Sequence, residues 1–257
     1  MGMYLSEERD GAVLTLVLDR PDKRNPLSLG LMRELTARLR DAGDDAGVAA
    51  IVLGANGPAF SAGHDLQEMS GRDAAFFEDV FAACSDLMLM LHRIPQPVIA
   101  RVQGIATAAG CQLVAACDLA VASEQARFAT PGVRIGLFCT TPMVEVARAV
   151  GRKRAMELLL TGEPIDAQTA LAWGMVNRVV PAGELDEAAR GLALRIAEAS
   201  PLTVGIGKRA FWENVDLPLD AAYSHASAVM CRNAVAGDAQ EGIAAFLDKR
   251  EPVWTGS

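Results

Sequence analysis

Two short runs in the 257-residue chain combine small residues with side chains that can do chemistry. The first is Ala59-Phe60-Ser61-Ala62-Gly63-His64-Asp65-Leu66. The second is Gln103-Gly104-Ile105-Ala106-Thr107-Ala108-Ala109-Gly110-Cys111-Gln112-Leu113. Each follows an apolar run that reads as a buried strand, so each falls at a strand's carboxyl end, where open α/β sheets bind ligands. Small residues there let a ligand approach main-chain N–H groups closely. A helix beginning near Ala108 aims its first N–H groups at an acceptor. Two such groups converging on one oxygen make an oxyanion hole. The plainer reading is close packing at a strand–helix junction, and residue types alone leave both open.

Few titratable side chains accompany these runs. His64 has a ring that titrates near neutrality. Glu145 is expected on the first turns of a later helix, where a carboxylate is favoured by the helix dipole. It is also the candidate for a displaced acid or base. Cys111 and Cys139 flank the expected pocket, with no base paired to either, and read as small core residues. His92 ends an apolar helix, and the Leu87-Met88-Leu89-Met90-Leu91 stripe before it is packing. His225 reads as structural or interfacial. Gly205-Ile206-Gly207-Lys208 lacks P-loop spacing. No group of side chains has the spacing of a metal site.

The elements that must position these residues follow from the apolar patterning. Strands are expected at 4–9 and 12–18 around the Asp10-Gly11 turn. Ser28 caps a helix running to about residue 41. Fully apolar runs at 48–53 and 97–102 read as strands buried on both faces. A long helix is expected over 74–92, short strands at 119–122, 128–130 and 176–180, and mostly helices from Pro142 onward. Strands alternating with helices early and helices prevailing late give an α/β core with a helical extension. The division expected is residues 1–195 for the core and 196–257 for the extension.

Composition narrows the partners. Apolar residues make up 51% of the chain, a richness that points to surface covered by further copies of it. Lys and Arg number 24 against 32 Asp and Glu, a net charge of −8, which argues against nucleic acid as a partner. Five scattered cysteines without a C-x-x-C pair suggest reduced thiols, and a cytoplasmic protein is expected. Glu7, Glu8, Arg9 and Asp10 argue against a signal peptide. The longest uncharged stretch, 102–117, contains Gln103 and Gln112 and falls short of the ~18 apolar residues of a membrane span.

Taken together, Phe60–Leu66, Gly104–Cys111 and Cys117-Asp118-Leu119-Ala120-Val121-Ala122 resemble the crotonase (enoyl-CoA hydratase/isomerase) superfamily. The likeness continues through Arg154–Gly162, Ala172–Pro181 and Glu241–Phe246, in order along nearly the whole chain. Within the superfamily, Ser61–Leu66 and Phe128–Val133 are most similar to the enoyl-CoA hydratase domain-containing type. The resemblance implies a crotonase-like spiral of ββα turns with a C-terminal helical trimerisation region, and a homotrimer or a hexamer of paired trimers. It implies an acyl-CoA or enoyl-CoA substrate, with coenzyme A present only as part of that substrate. By position it assigns the oxyanion hole to the backbone N–H groups of His64 and Ala109, with Ala62, Asp65 and Leu66 lining the substrate. Phe246 and Lys249 match positions that meet the adenine and phosphate end of coenzyme A, and Arg24 is a further phosphate contact.

The same resemblance locates an omission. Hydratases use two glutamates, and the matching positions here are Gln112 and Gly132. Neither exchanges a proton near neutral pH, although Gln112 can orient a water. Losing one such group costs ~10²–10⁴ in rate. Ordinary hydration is therefore not expected. The alternatives are another crotonase-type reaction, an isomerase or thioesterase using a displaced group such as Glu145, or a protein that binds acyl-CoA without turning it over.

Overall fold

The computed structural model describes residues 4–257; residues 1–3, counted above with the core, lie outside the described residues. The first hairpin joins β1 (Leu5–Asp10) to β2 (Val13–Leu18), with Asp10 paired to Val13 across the expected turn. Ser28 then caps α1 (Leu29–Asp44), its hydroxyl accepting from the Leu31 N–H. The chain enters the sheet as β3 (Ala50–Ala55), crosses to a second layer as β4 (Ala59–Ser61), and passes α2 (Leu66–Met69) into α3 (Ala74–Arg93).

That ββα turn is repeated. β5 (Val98–Val102) and β6 (Ile105–Thr107) lead into α4 (Ala109–Ala116). β7 (Leu119–Ser123) and β8 (Arg127–Ala129) lead through a 3-10 turn, Pro131–Ile135, to α5 (Pro142–Val150). The first strands of the turns join one six-stranded sheet in the order β1-β2-β3-β5-β7-β10, where β10 is Arg178–Val180. The second strands form a smaller sheet, β4-β6-β8-β9, closed by β9 (Ile165–Asp166). All pairs are parallel except β1 with β2 and β8 with β9.

The large sheet is covered on both faces, which accounts for its continuous apolar runs. Along β3, Ile51 and Leu53 join the main core with Leu35, Leu39, Leu87 and Leu91. Ala50 and Val52 face the other way, onto Leu185, Ala189 and Ala193 of α8 (Leu185–Ala197). Between α5 and β10 lie α6 (Arg152–Thr161) and α7 (Ala167–Trp173). The chain ends in α9 (Pro201–Asn214), α10 (Leu219–Ala234) and α11 (Gly237–Asp248). No residue of α10 is buried, and Leu219, Tyr223 and Met230 stand exposed along it. Among the described residues no helix is long and apolar enough to cross a membrane.

The final segment folds back onto this helical region. Buried Asp238 accepts from Ser200 Oγ at 2.5 Å and from the backbone N–H groups of Thr255 and Gly256, and its own N–H donates to the Ser257 carbonyl. Strands β4 and β6 were not foreseen as strands. At three residues each they are too short to show a period, and their pairing is decided between turns of the spiral.

Candidate active site

The two small-residue runs meet at the carboxyl ends of neighbouring strands, β4 and β6. Beyond β4, Gly63 adopts φ +85° and lies against the second run. A Cβ at Gly63 would stand 2.9 Å from both Ala108 Cβ and Thr107 O, and 3.3 Å from the Ala109 nitrogen. Only glycine allows that approach. The same requirement recurs at Gly110, where a Cβ would fall 2.6 Å from the Ser61 carbonyl oxygen. The peptides before His64 and before Ala109 therefore run close together.

Each of those peptides is held by its carbonyl. The Gly63 carbonyl accepts from the Leu27 N–H at 2.7 Å, so the His64 N–H points the opposite way across the planar peptide. The Ala108 carbonyl accepts from the Gln112 N–H at 3.0 Å as the first bond of α4, which turns the Ala109 N–H out of the helix's N-terminal end. Neither the His64 nor the Ala109 N–H donates to a protein acceptor among the described residues. Ala108 itself sits at φ +50°, ψ −118°, backbone that disfavours any residue but glycine.

The first run is anchored from below by a residue that the sequence presents only as part of a loop. Asn25, fully buried, donates to the carbonyls of Asn56 and Ala59 and accepts from the Arg20 N–H. Ser61 Oγ donates to the Asn25 carbonyl and accepts from the Gly63 N–H, and the Ala62 N–H donates to the Arg24 carbonyl. Asp65 accepts from the N–H groups of Gln67 and Glu68 and lies 3.6 Å from Arg20, so it orders the loop. Ala62 and Leu66 are exposed beside it.

Helix α3 supplies a wall to the site. Phe81 meets the His64 ring edge-on with centroids 5.5 Å apart, and Cys84, three residues on, donates through its thiol to Gln112 Oε1 at 3.6 Å. Burial lowers the His64 pKa to about 4 and raises that of Cys84 to about 12. Cys111 is likewise pushed up to about 12, and burial raises Cys139 as well. At neutral pH the histidine ring and all three thiols are uncharged. The sequence presents Phe81 and Cys84 as helix core, and no local signal marks their contact with residues in other elements.

At Gly132, the position that the resemblance matches to the second glutamate, there is no room for a side chain. A Cβ there would lie 2.2 Å from the Leu137 carbonyl oxygen and 2.8 Å from Cys139 Sγ. The loop of residues 136–141 has closed over that position.

Of the other candidates, Arg24 meets the first run through its carbonyl. Glu145 is buried on the first turns of α5, and its Oε2 lies 3.8 Å from His92 Nε2. His92 rests against the Ala116 backbone at the far end of α4 from Ala109. Arg24 and Lys249 are exposed in left-handed conformations, and Phe246 is 83% exposed on α11. His225 is paired with Glu213 at 3.2 Å. A groove of about 690 Å³ lies elsewhere, between the end of α1, Gln96, α9, α10 and residues 254–256. Its charged lining balances Asp44 and Glu213 against Arg209 and Arg232. No three His, Cys, Asp or Glu side chains among the described residues cluster as metal ligands.

Two main-chain N–H groups without a protein acceptor thus lie near the carboxyl edge of a ββα spiral. Comparison with known proteins supplies the class of protein. The enoyl-CoA hydratase/isomerase family model matches residues 8–257, and the chain belongs to that family. It is 47% identical over 253 residues to the mitochondrial enoyl-CoA hydratase domain-containing protein 3 of Homo sapiens, covering 97% of this chain and 82% of that one. The Rattus norvegicus protein of the same name is 45% identical over 251 residues, covering 97% and 83%. Among solved structures, an enoyl-CoA hydratase from Mycobacterium smegmatis superposes with a TM-score of 0.95 at 45% identity, covering 98% of each chain. The crotonase-like α/β fold is thus shown. The expected cytoplasmic location is overturned, since the rat and human relatives are mitochondrial by name. Reduced cysteines mark a reducing environment and do not single out one compartment.

Proposed function

We propose that this chain binds a coenzyme A thioester and polarises its carbonyl between the N–H groups of His64 and Ala109. The observation that carries this is the pair of fixed peptides, each held by its own carbonyl with the N–H left free. Donors set before the reaction stabilise charge without reorganising. Removing one such donor costs ~10²–10³ in rate in enzymes that use them. The reaction class is that of the family, proceeding through an enolate at the α-carbon. Lining by Ala62, Asp65 and Leu66, and contacts from Arg24, Phe246 and Lys249 to the coenzyme A phosphates and adenine, complete the reading. The exposed apolar stripe of α10 supports assembly as a homotrimer or hexamer.

A second reading, a binder of acyl-CoA without turnover, is favoured by a different observation. Neither Gln112 nor Gly132 carries a proton to exchange, and buried Glu145 faces His92 away from the donors. Two measurements separate the readings. Calorimetry with acetyl-CoA and a longer acyl-CoA should show binding at millimolar concentration or below. Loss of enoyl absorbance from crotonyl-CoA should be negligible at catalytic enzyme. No binding would remove both readings, whereas rapid hydration would show that another group supplies the proton. Slow turnover at stoichiometric enzyme would favour catalysis over sequestration.

A further inference from the structure

Gln112 does more than lack a carboxylate. It is buried, at 3% exposure, and stands three residues after Ala109 on the same face of α4. Helical side chains lean toward the N-terminus, so its amide reaches back over the turn that carries the Ala109 N–H. The two ends of that amide are not equivalent. Oε1 faces the Cys84 thiol at 3.6 Å, and a thiol hydrogen can be given to an oxygen but not to an NH₂ group. Burial keeps that thiol protonated at neutral pH, so its hydrogen stays available to Oε1. The Nε2 group donates to no protein acceptor among the described residues.

Where a hydratase presents an acceptor, this site therefore presents a third donor, about one helical turn, ~5 Å, from the oxyanion donors. We infer that Gln112 is a specificity-determining donor, selecting thioesters whose acyl chain carries a carbonyl oxygen at its third carbon. The inference rests on the thioester reading of the site. A saturated chain leaves the Gln112 amide unpaired against apolar surface, whereas a 3-oxo chain satisfies it. The Phe81 ring and the neutral His64 ring leave no charged side chain among these neighbours to compete for that oxygen.

Calorimetry with coenzyme A, butyryl-CoA and acetoacetyl-CoA tests this on the full chain. Acetoacetyl-CoA should bind about five- to tenfold tighter than butyryl-CoA, the effect of one buried neutral hydrogen bond. Gln112→Met, similar in volume and without a donor, should bring that ratio to about one, with butyryl-CoA binding no more weakly than in the parent. Cys84→Ser, which keeps a hydrogen directed at Oε1, should retain the preference and shows that the wall tolerates substitution. Equal affinities in the parent, or a preference that survives Gln112→Met, would overturn the inference and leave the thioester reading standing. If neither thioester binds more tightly than coenzyme A, the thioester reading fails and the inference falls with it.

Discussion

The two ends of α4 are built on opposite principles. At its N-terminus the described groups are neutral: two free N–H groups, a histidine and a thiol held uncharged by burial, and an amide. At its C-terminus a charged pair, Asp118 with buried Lys208, gathers the neighbouring groups. Asp118 accepts from the Val98 N–H, the Trp212 indole N–H at 2.9 Å and the Lys208 ammonium at 2.6 Å, and Lys208 also donates to the Gln96 carbonyl. Trp212 stacks on His92 with centroids 3.6 Å apart, and His92 lies beside Glu145. This second cluster ties α9 to α3 and α5. These charged side chains hold the helices together. Main-chain groups and an amide occupy the end where chemistry is proposed.

The largest effect that would break this comparison is expected from Asp118→Ala. It strands a buried ammonium and two N–H donors, so stability should fall by ~3–5 kcal/mol in urea unfolding. Acyl-CoA affinity of the folded fraction should not change. A loss below about 1 kcal/mol would mean that the cluster does not carry the helical region.

The next effect is a pH dependence from the neutral end. The folded-state pKa of His64 is lowered to about 4 from the ordinary 6.5. Above 6.5 neither state holds the proton, and the full stability is present. As pH falls toward 4 the unfolded chain takes up the proton and the folded chain does not, so stability is lost, by up to roughly 3 kcal/mol. His92 is lowered in the same direction by burial, so the comparison is with His64→Gln. That variant should lose less stability than the parent between pH 7 and 4.5. Equal losses would mean that His64 is not buried as a neutral ring.

The smallest effect sharpens the picture of the two free N–H groups. Ala108 pays for a glycine-like conformation, and Ala108→Gly should stabilise the fold by about 1 kcal/mol, strain relief exceeding the entropy cost. No gain, measured in urea, would indicate that the backbone at this position relaxes in solution.

Much of the fold was legible because its elements are strongly patterned. The hairpin, the Ser28 cap, the long helix α3 and the doubly covered strands fall within a few residues of where periodicity and turn chemistry place them. Boundaries drifted where tertiary pairing overrode local pattern. The strand expected at 48–53 lies at Ala50–Ala55, in register with β2 and β5. The helix expected to end near residue 41 runs on to Asp44. The missing carboxylates were also legible, since positions 112 and 132 carry Gln and Gly.

What the chain determines alone is thus the order of its large-sheet strands and long helices, the small residues that permit close approach, and the absence of a carboxylate at positions 112 and 132. Tertiary structure decided the rest. Whether a peptide N–H is free depends on what its neighbouring carbonyl meets, and Leu27 lies 36 positions from Gly63. What the Gln112 amide oxygen meets is a thiol on another helix. Closure of the 136–141 loop over Gly132 is a contact between backbones that residue types do not encode. Hydrogen-bond direction and excluded volume are properties of groups brought together, and only the folded chain brings them together.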